Sequence, residues 1–430
     1  MLSQELKKQL DVEVTKNLNR LETIYKQIHS NPELSCQEEQ TAATVGAELN
    51  KLGLNVHTGI GGHGLVGVLE NGSGPCLLIR ADMDALPLRE LTGLPYNSQV
   101  VSIDVNGNQI PVMHACGHDL HTTCLIGVAS VLTALKAKWQ GKVLFIGQPA
   151  EETIGGADLM MKAGIYDKFG RPDFALALHV DPFVAAGSVT LAPGVQSSCN
   201  HAVDLIVKGI GGHGASPHQT KDPILLAAHI ITALQSIISR EVNPSEMGLI
   251  TVGAIHGGTK RNIIPEEVVM NLTIRAFDRN LADKLLEAVK RTACGIAQAH
   301  GLPEELWPVV ELPETSFPPV INDPCLTETI KSVFCDLLGP DKVDLDTPSN
   351  GSEDFSFFGE YDPPVPLLMY HLGVTAPDRL EKAVDGGGKI APVHDPRFYP
   401  DLHPSLATGV TTMSGAALHL LRKTTTQRDV

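Results

Sequence analysis

The sequence predicts an α/β fold: a mostly parallel mixed sheet flanked by helices, interrupted by an inserted α+β module. Three observations carry this expectation. Apolar runs alternate with helical patterns through the first 190 residues. Polar clusters rich in His, Cys, Asp and Glu follow those runs directly. Near residue 190 the texture changes to strands that alternate apolar and polar. Strand–helix alternation implies parallel strands joined by helical crossovers.

In chain order, residues 1–27 read as an amphipathic helix, with Leu2, Leu6, Leu10, Val14, Leu18, Leu21 and Tyr25 on one face. Residues 65–69, 76–79, 142–146 and 174–178 are short continuous apolar runs, the pattern of strands buried on both faces. Helical spacing covers 122–138. Beyond 190, residues 203–207, 249–252 and 268–275 alternate like half-exposed antiparallel strands, with helices at 222–239 and 281–300 between them. Proline-rich residues 312–319 read as the linker back to the first domain. The expected organisation is a first catalytic part at 1–190, an inserted module at 191–311 and a second catalytic part at 312–430.

Gly-Ile-Gly-Gly-His-Gly occurs at 59–64 and again at 209–214, and both copies match a dinucleotide fingerprint. That motif needs a helix opening directly after the glycines. The first copy leads into a strand and the second into Ala215-Ser216-Pro217, so nucleotide binding is rejected for both. Glycine turns requiring positive φ explain the first.

Composition narrows the function. A formal net charge of -16 without a basic run excludes nucleic acid as a partner. No run of about 18 apolar residues is apparent, so no membrane span is expected. Eight scattered cysteines without paired spacing read as free thiols, which places the chain in the cytoplasm.

The richest chemistry lies in His114-Ala115-Cys116-Gly117-His118-Asp119-Leu120-His121. In extended backbone Cys116 and His118 would share a face and grip one metal, and thiolate with imidazole suits zinc and its neighbours. Four more polar clusters follow the same logic. Asp82 and Asp84 sit at i and i+2 at a strand end. Glu151 and Glu152 follow the 142–146 run, His179 ends the next, and His394 lies far downstream. Adjacent glutamates are ordinarily a solvated helix start. After a core strand and a proline, one can ligate a metal while its neighbour takes a proton from water.

Together these motifs resemble the aminoacylase and carboxypeptidase-like family of binuclear-metal amidohydrolases. The similarity is greatest to its branch of hippurate hydrolases, N-acyl-amino-acid amidohydrolases and plant auxin-conjugate hydrolases. Carrying it are Arg-Ala-Asp-Met-Asp-Ala-Leu-Pro (80–87), His-Ala-Cys-Gly-His-Asp-Leu-His-Thr (114–122), Gln-Pro-Ala-Glu-Glu (148–152) and Ala-Leu-His-Val (177–180). Gly-Gly-His-Gly-Ala-Ser-Pro-His (211–218), Asn-Ile-Ile-Pro (262–265), Thr-Ile-Arg (273–275), Ser-Glu-Asp-Phe (352–355) and His-Asp-Pro-Arg-Phe (394–398) continue it.

The resemblance implies a zinc-peptidase-like catalytic domain and an inserted dimerisation or lid domain. It implies two divalent ions per subunit (zinc, manganese, cobalt or nickel), held by Cys116, His118, Glu152, His179 and His394. Glu151 matches the general acid/base, and His213 the histidine that reaches the partner subunit's site. Asn262, Arg275 and His218 match positions facing substrate, and Asp84 and Glu353 match residues that orient ligands. The implied partners are a small N-acyl amino acid and a second copy of the chain, as a homodimer or a tetramer built from it.

Some residues depart from the family pattern. His371 stands where an apolar or aromatic residue is usual, and either lines the pocket or is a core histidine. Residues 374–391 are longer than usual, and His403 rivals His394 as a ligand. The expected activity is hydrolysis of the amide of N-acyl amino acids. The alternatives are a dipeptidase or carboxypeptidase of the same architecture and a non-catalytic metal-binding protein.

Overall fold

A computed structural model describes residues 1–103, 107–153, 155–313 and 316–423. Glu314 and Thr315, within the expected linker, lie outside the described residues. Two compact units result. One comprises residues 1–196, 321–347 and 354–430, the other residues 197–320 and 348–353.

The first unit is built on a ten-stranded mixed sheet. Its four central strands, in the order Gly141–Gln148, Cys76–Asp82, Phe174–Ala185 and Leu367–Thr375, all run parallel. Leu65–Asn71 and Asn55–Thr58 extend one side antiparallel. Three of the four central strands follow the apolar runs expected of them, and they are buried on both faces. Leu367–Thr375 was not anticipated as a strand; it pairs along its length with Phe174–Ala185 and brings His371 opposite His179.

Helices Gln4–His29, His118–Ala134 and Leu402–Leu420 pack on one another over this sheet. Ser3 caps the first, accepting the Leu6 N–H. In His118–Ala134 every residue from His118 to Leu132 is buried, so its polar first turn enters the interior. All eight cysteines are free thiols.

The second unit is an α+β layer. Its antiparallel sheet has the order Gly248–Gly257, Glu267–Ala276, Cys199–Lys208, Val309–Glu311. Helices Pro223–Glu241 and Arg279–Ala299 cover one face with Leu226, Ile230, Leu234, Leu285 and Val289. Among the described residues one helix, Pro223–Glu241, meets the length and hydropathy of a membrane span. In this fold its apolar stripe packs into the core of the unit.

One buried polar cluster ties the first helix to the motif helix. His29 bonds Asp119 through Nδ1 (2.6 Å) and Glu90 through Nε2 (3.1 Å), and is 1% exposed. Burial opposes its charge, but bonds to Asp119 and Glu90 outweigh burial and raise its pKa to about 9. A raised folded-state pKa stabilises fully below the unfolded value, near 6.5, and that contribution fades as pH rises through 9. The metal-free chain should therefore lose stability, on the order of 2–3 kcal/mol, between those pH values. Urea denaturation at the two ends checks this, and Asp119→Asn should flatten the slope.

Candidate metal centre

The site forms at the carboxyl ends of the central parallel strands, where α/β folds gather their chemistry. Asp82 ends the strand Cys76–Asp82, and Asp84 follows it. Glu151 and Glu152 lie in the turn after Gly141–Gln148. Cys116 and His118 precede and open the helix His118–Ala134.

Cys116 and His118 are not on extended backbone, as their spacing suggested. Between them Gly117 turns left-handed at φ 80°. A Cβ there would lie 2.7 Å from Val180, so the position requires glycine twice over. Likewise His179 does not end its strand, which continues to Ala185. It projects from mid-strand.

Two overlapping donor triads result: Cys116, His118 and His179, and Cys116, Glu152 and His394, each within 4.8 Å. Cys116 belongs to both, so it could contribute to holding either of two ions. Cys116 Sγ lies 3.4 Å from His179 Nε2, and His394 Nε2 lies 3.3 Å from Glu152 Oε1. His403 is elsewhere, bonded to Glu22 at 2.6 Å.

Each imidazole is oriented by what its other nitrogen touches. His179 donates from Nδ1 to the Val180 carbonyl (2.8 Å), which leaves the Nε2 lone pair toward Cys116. His118 Nδ1 bonds Asp84 at 3.1 Å, leaving Nε2 toward Glu152. His118 Nε2 and Glu152 Oε1 are buried without a hydrogen-bond partner. Cations held by the two triads would satisfy both atoms, so the residues present fit a metal pair.

Beyond Asp84 and Glu353, the sequence did not assign the layer behind these donors. Asp82 accepts from His121 Nδ1 (2.7 Å), and Arg80 donates to Asp82, Gln148 and Asp354 (2.8, 2.7 and 3.0 Å). Arg80, Asp82 and Asp354 are fully buried side chains. His121 Nε2 in turn accepts the Val180 N–H at 2.9 Å. The Asp-Met-Asp spacing was the available signal for Asp82, and the third histidine of the motif was the signal for His121. His371 is half-buried, bonds Asp346 at 2.5 Å and sits edge-on to His179 at 6.0 Å between ring centroids. It lines the centre as a polar residue.

The remaining expected site residues lie in the second unit. His213 pairs with Ile263 in a two-residue ladder, is exposed, and accepts the Ala215 N–H at Nδ1 (3.0 Å). His218 is exposed in a short 3₁₀ turn, Pro217–Gln219. The Asn262 carbonyl accepts the Gly214 N–H at 2.9 Å. Arg275 donates to the Asn350 carbonyl at 2.8 Å, and Glu353 is buried.

Electrostatics follow from this crowding. Burial lowers the His118 pKa, but Asp82 and Asp84 overcome it and raise it to about 10. Burial, with Glu152 and Glu151 nearby, pushes the Cys116 thiol well above its usual range. Burial and His121 hold His179 well below its ordinary value.

This fold and donor set define a metal-dependent amidohydrolase, and comparison with known proteins agrees. The sequence profile of peptidase family M20/M25/M40 matches residues 78–418. The hippurate hydrolase of Campylobacter jejuni is 37% identical over 341 residues, 79% of this chain and 85% of the relative. Thermostable carboxypeptidase 2 of Saccharolobus solfataricus is 34% identical over 382 residues, 88% and 90% of the two chains. A Bacillus subtilis structure described as a dinuclear metal binding peptidase superposes with a TM-score of 0.75 at 26% identity, covering 95% of this chain and 99% of that one. The chain belongs to peptidase family M20/M25/M40.

In the metal-free chain Cys116 and His118 are both protonated near neutrality, yet as ligands they must shed those protons. Metal loading at pH 7.5 should thus release about two protons per site. Calorimetry in buffers of differing ionisation enthalpy measures the number, and Cys116→Ala should lower it by about one. Release below half a proton would exclude this pair as ligands.

Proposed function

We propose that this chain hydrolyses the amide bond of N-acyl amino acids, acetylated, benzoylated or similar, to a carboxylic acid and a free amino acid. The observation that carries the proposal is Glu151 beside two donor triads that share Cys116. Cys116, His118 and His179 would hold one divalent ion, and Cys116, Glu152 and His394 a second. Zinc, manganese, cobalt and nickel all suit this mixed set. When bound, such ions act as Lewis acids that make water a nucleophile near neutral pH.

The chain's own residues do the rest. Glu151 accepts a proton from the attacking water as its oxygen bonds the scissile carbonyl carbon. Glu151 then returns that proton to the nitrogen as the C–N bond breaks. His213 would stabilise the oxyanion of the tetrahedral intermediate. Arg275 and Asn262 would receive the amino acid carboxylate, with His218 beside the substrate. Asp84 keeps His118 aimed, and Glu353 is assigned a similar orienting role. The carboxypeptidase relative favours a second reading, peptide substrates, and a panel of hippurate, N-acetyl amino acids and dipeptides separates the two.

Two outcomes follow. Glu151→Gln should keep its metal content and lose roughly 10²–10⁴-fold in kcat. A metal-loaded variant within a few-fold of wild type would exclude Glu151 as the base. We also place His213 in the partner's site of a homodimer formed through residues 191–311. Mixing Glu151→Gln with His213→Ala should then restore activity, because about half the dimers are hybrids with one complete site, roughly a quarter of all sites. No recovery after demonstrated subunit exchange would confine His213 to its own chain.

A further inference from the structure

Among the described residues, three that are not glycine adopt positive φ: Cys36 at 66°, Ala150 at 51° and His394 at 65°. Such backbone is strained for residues with a Cβ and persists only where surroundings enforce it. Ala150 directly precedes the Glu151–Glu152 pair. What enforces its conformation is a side chain that the chemistry above leaves unused.

Glu38 occupies the start of the helix Glu39–Lys51 but makes no cap bond there. Glu33 takes that task, accepting from the Gln40 and Thr41 N–H groups. The Glu38 side chain instead turns inward and is wholly buried. Its Oε1 accepts the Ala150 N–H at 2.8 Å and the Cys36 N–H at 2.8 Å. One oxygen therefore holds two of the three left-handed residues. Two positions on, the Glu152 N–H donates to Asp84 Oδ2 at 3.0 Å. The turn carrying the base is thus pinned on both sides of Glu151.

We propose that Glu38 is a positioning residue, which holds Ala150 left-handed and thereby aims Glu151. This rests on Glu151 being the base. Only one acceptor oxygen is required. Glu38 Oε2 is buried with no hydrogen-bond partner, which suits a neutral carboxyl group. Burial, reinforced by the Asp84 charge, agrees by raising the Glu38 pKa to about 7. A glutamine at this position keeps the acceptor, whereas methionine keeps the length and loses it.

The test uses the full-length, metal-loaded chain. Glu38→Met should lower kcat about tenfold or more, with KM and metal content near wild type. Glu38→Gln should keep at least about a third of wild-type kcat. Adding Ala150→Gly to Glu38→Met should recover much of the loss, because glycine takes positive φ without a clamp. General loosening of the fold would not respond to that glycine. Unchanged kcat in Glu38→Met overturns the proposal, as does a loss that neither Gln nor the added glycine relieves. Should Glu38→Met not fold, hydrogen exchange decides on wild type and Glu38→Gln. The Ala150 amide should be protected like the core in both, and exchange at loop rates in wild type overturns the clamp. Failure of wild type to cleave any amide would instead sink the catalytic reading, and the exchange result then judges the clamp alone.

Discussion

Asp82 and Asp84 at the end of one parallel strand tie the motif helix to the glutamate turn. Asp82 bonds Arg80 and His121, while Asp84 bonds His118 and the backbone of Glu152. Through them the carboxyl end of this central strand fixes the motif helix and the glutamate turn in a common frame. The arrangement is costly to disturb, because Asp82 and Arg80 are fully buried. Removing one partner of such a pair leaves an uncompensated charge, typically 3–5 kcal/mol. Their value lies in orientation, since apolar residues could fill the same volume without aiming a ligand.

The same crowding explains why the centre demands cations. Asp82, Asp84, Glu151 and Glu152 converge, and Arg80 is a permanent counter-charge paired with Asp82. The raised pKa values of His118 and Cys116 are two views of one fact: protons occupy the positions that a divalent ion would neutralise. Protons and metals therefore compete for these atoms, and metal affinity must rise with pH until the competition ends. Burial, which makes the bare thiol so weak an acid, also shields the bound thiolate from solvent and oxidants.

Strands buried on both faces were legible because they are unbroken apolar runs, as at residues 76–79 and 142–146. Leu367–Thr375 escaped because His371 and Gly373 interrupt its run and its partner lies far away in the chain. The donor residues were legible as chemistry, by type and by motif, but their geometry was not. Cys116 and His118 meet through the left-handed Gly117 and not by strand alternation. Glu38 had no local signal at all: its acceptor oxygen serves an amide 112 positions away. Choosing His394 over His403 likewise depended on motif context, and only the fold shows Glu152 beside one and Glu22 beside the other.

Hydrogen bonds to the backbone join these distant segments. The His394 N–H donates to the Ala115 carbonyl at 2.8 Å, clipping the C-terminal segment beside Cys116. The Val180 N–H meets His121, Glu152 meets Asp84, and Ala150 meets Glu38. Each clip fixes main chain within one residue of a triad donor or of Glu151, so side-chain freedom alone cannot scatter the set. That is the economical way to place soft ligands to within a few tenths of an ångström from loops, which otherwise wander. The strain at Ala150 and His394 then has a physical meaning. Two unfavourable backbone conformations fall at His394 and just before the Glu151–Glu152 pair, where an ordinary turn would redirect an imidazole or a carboxylate of the donor triads.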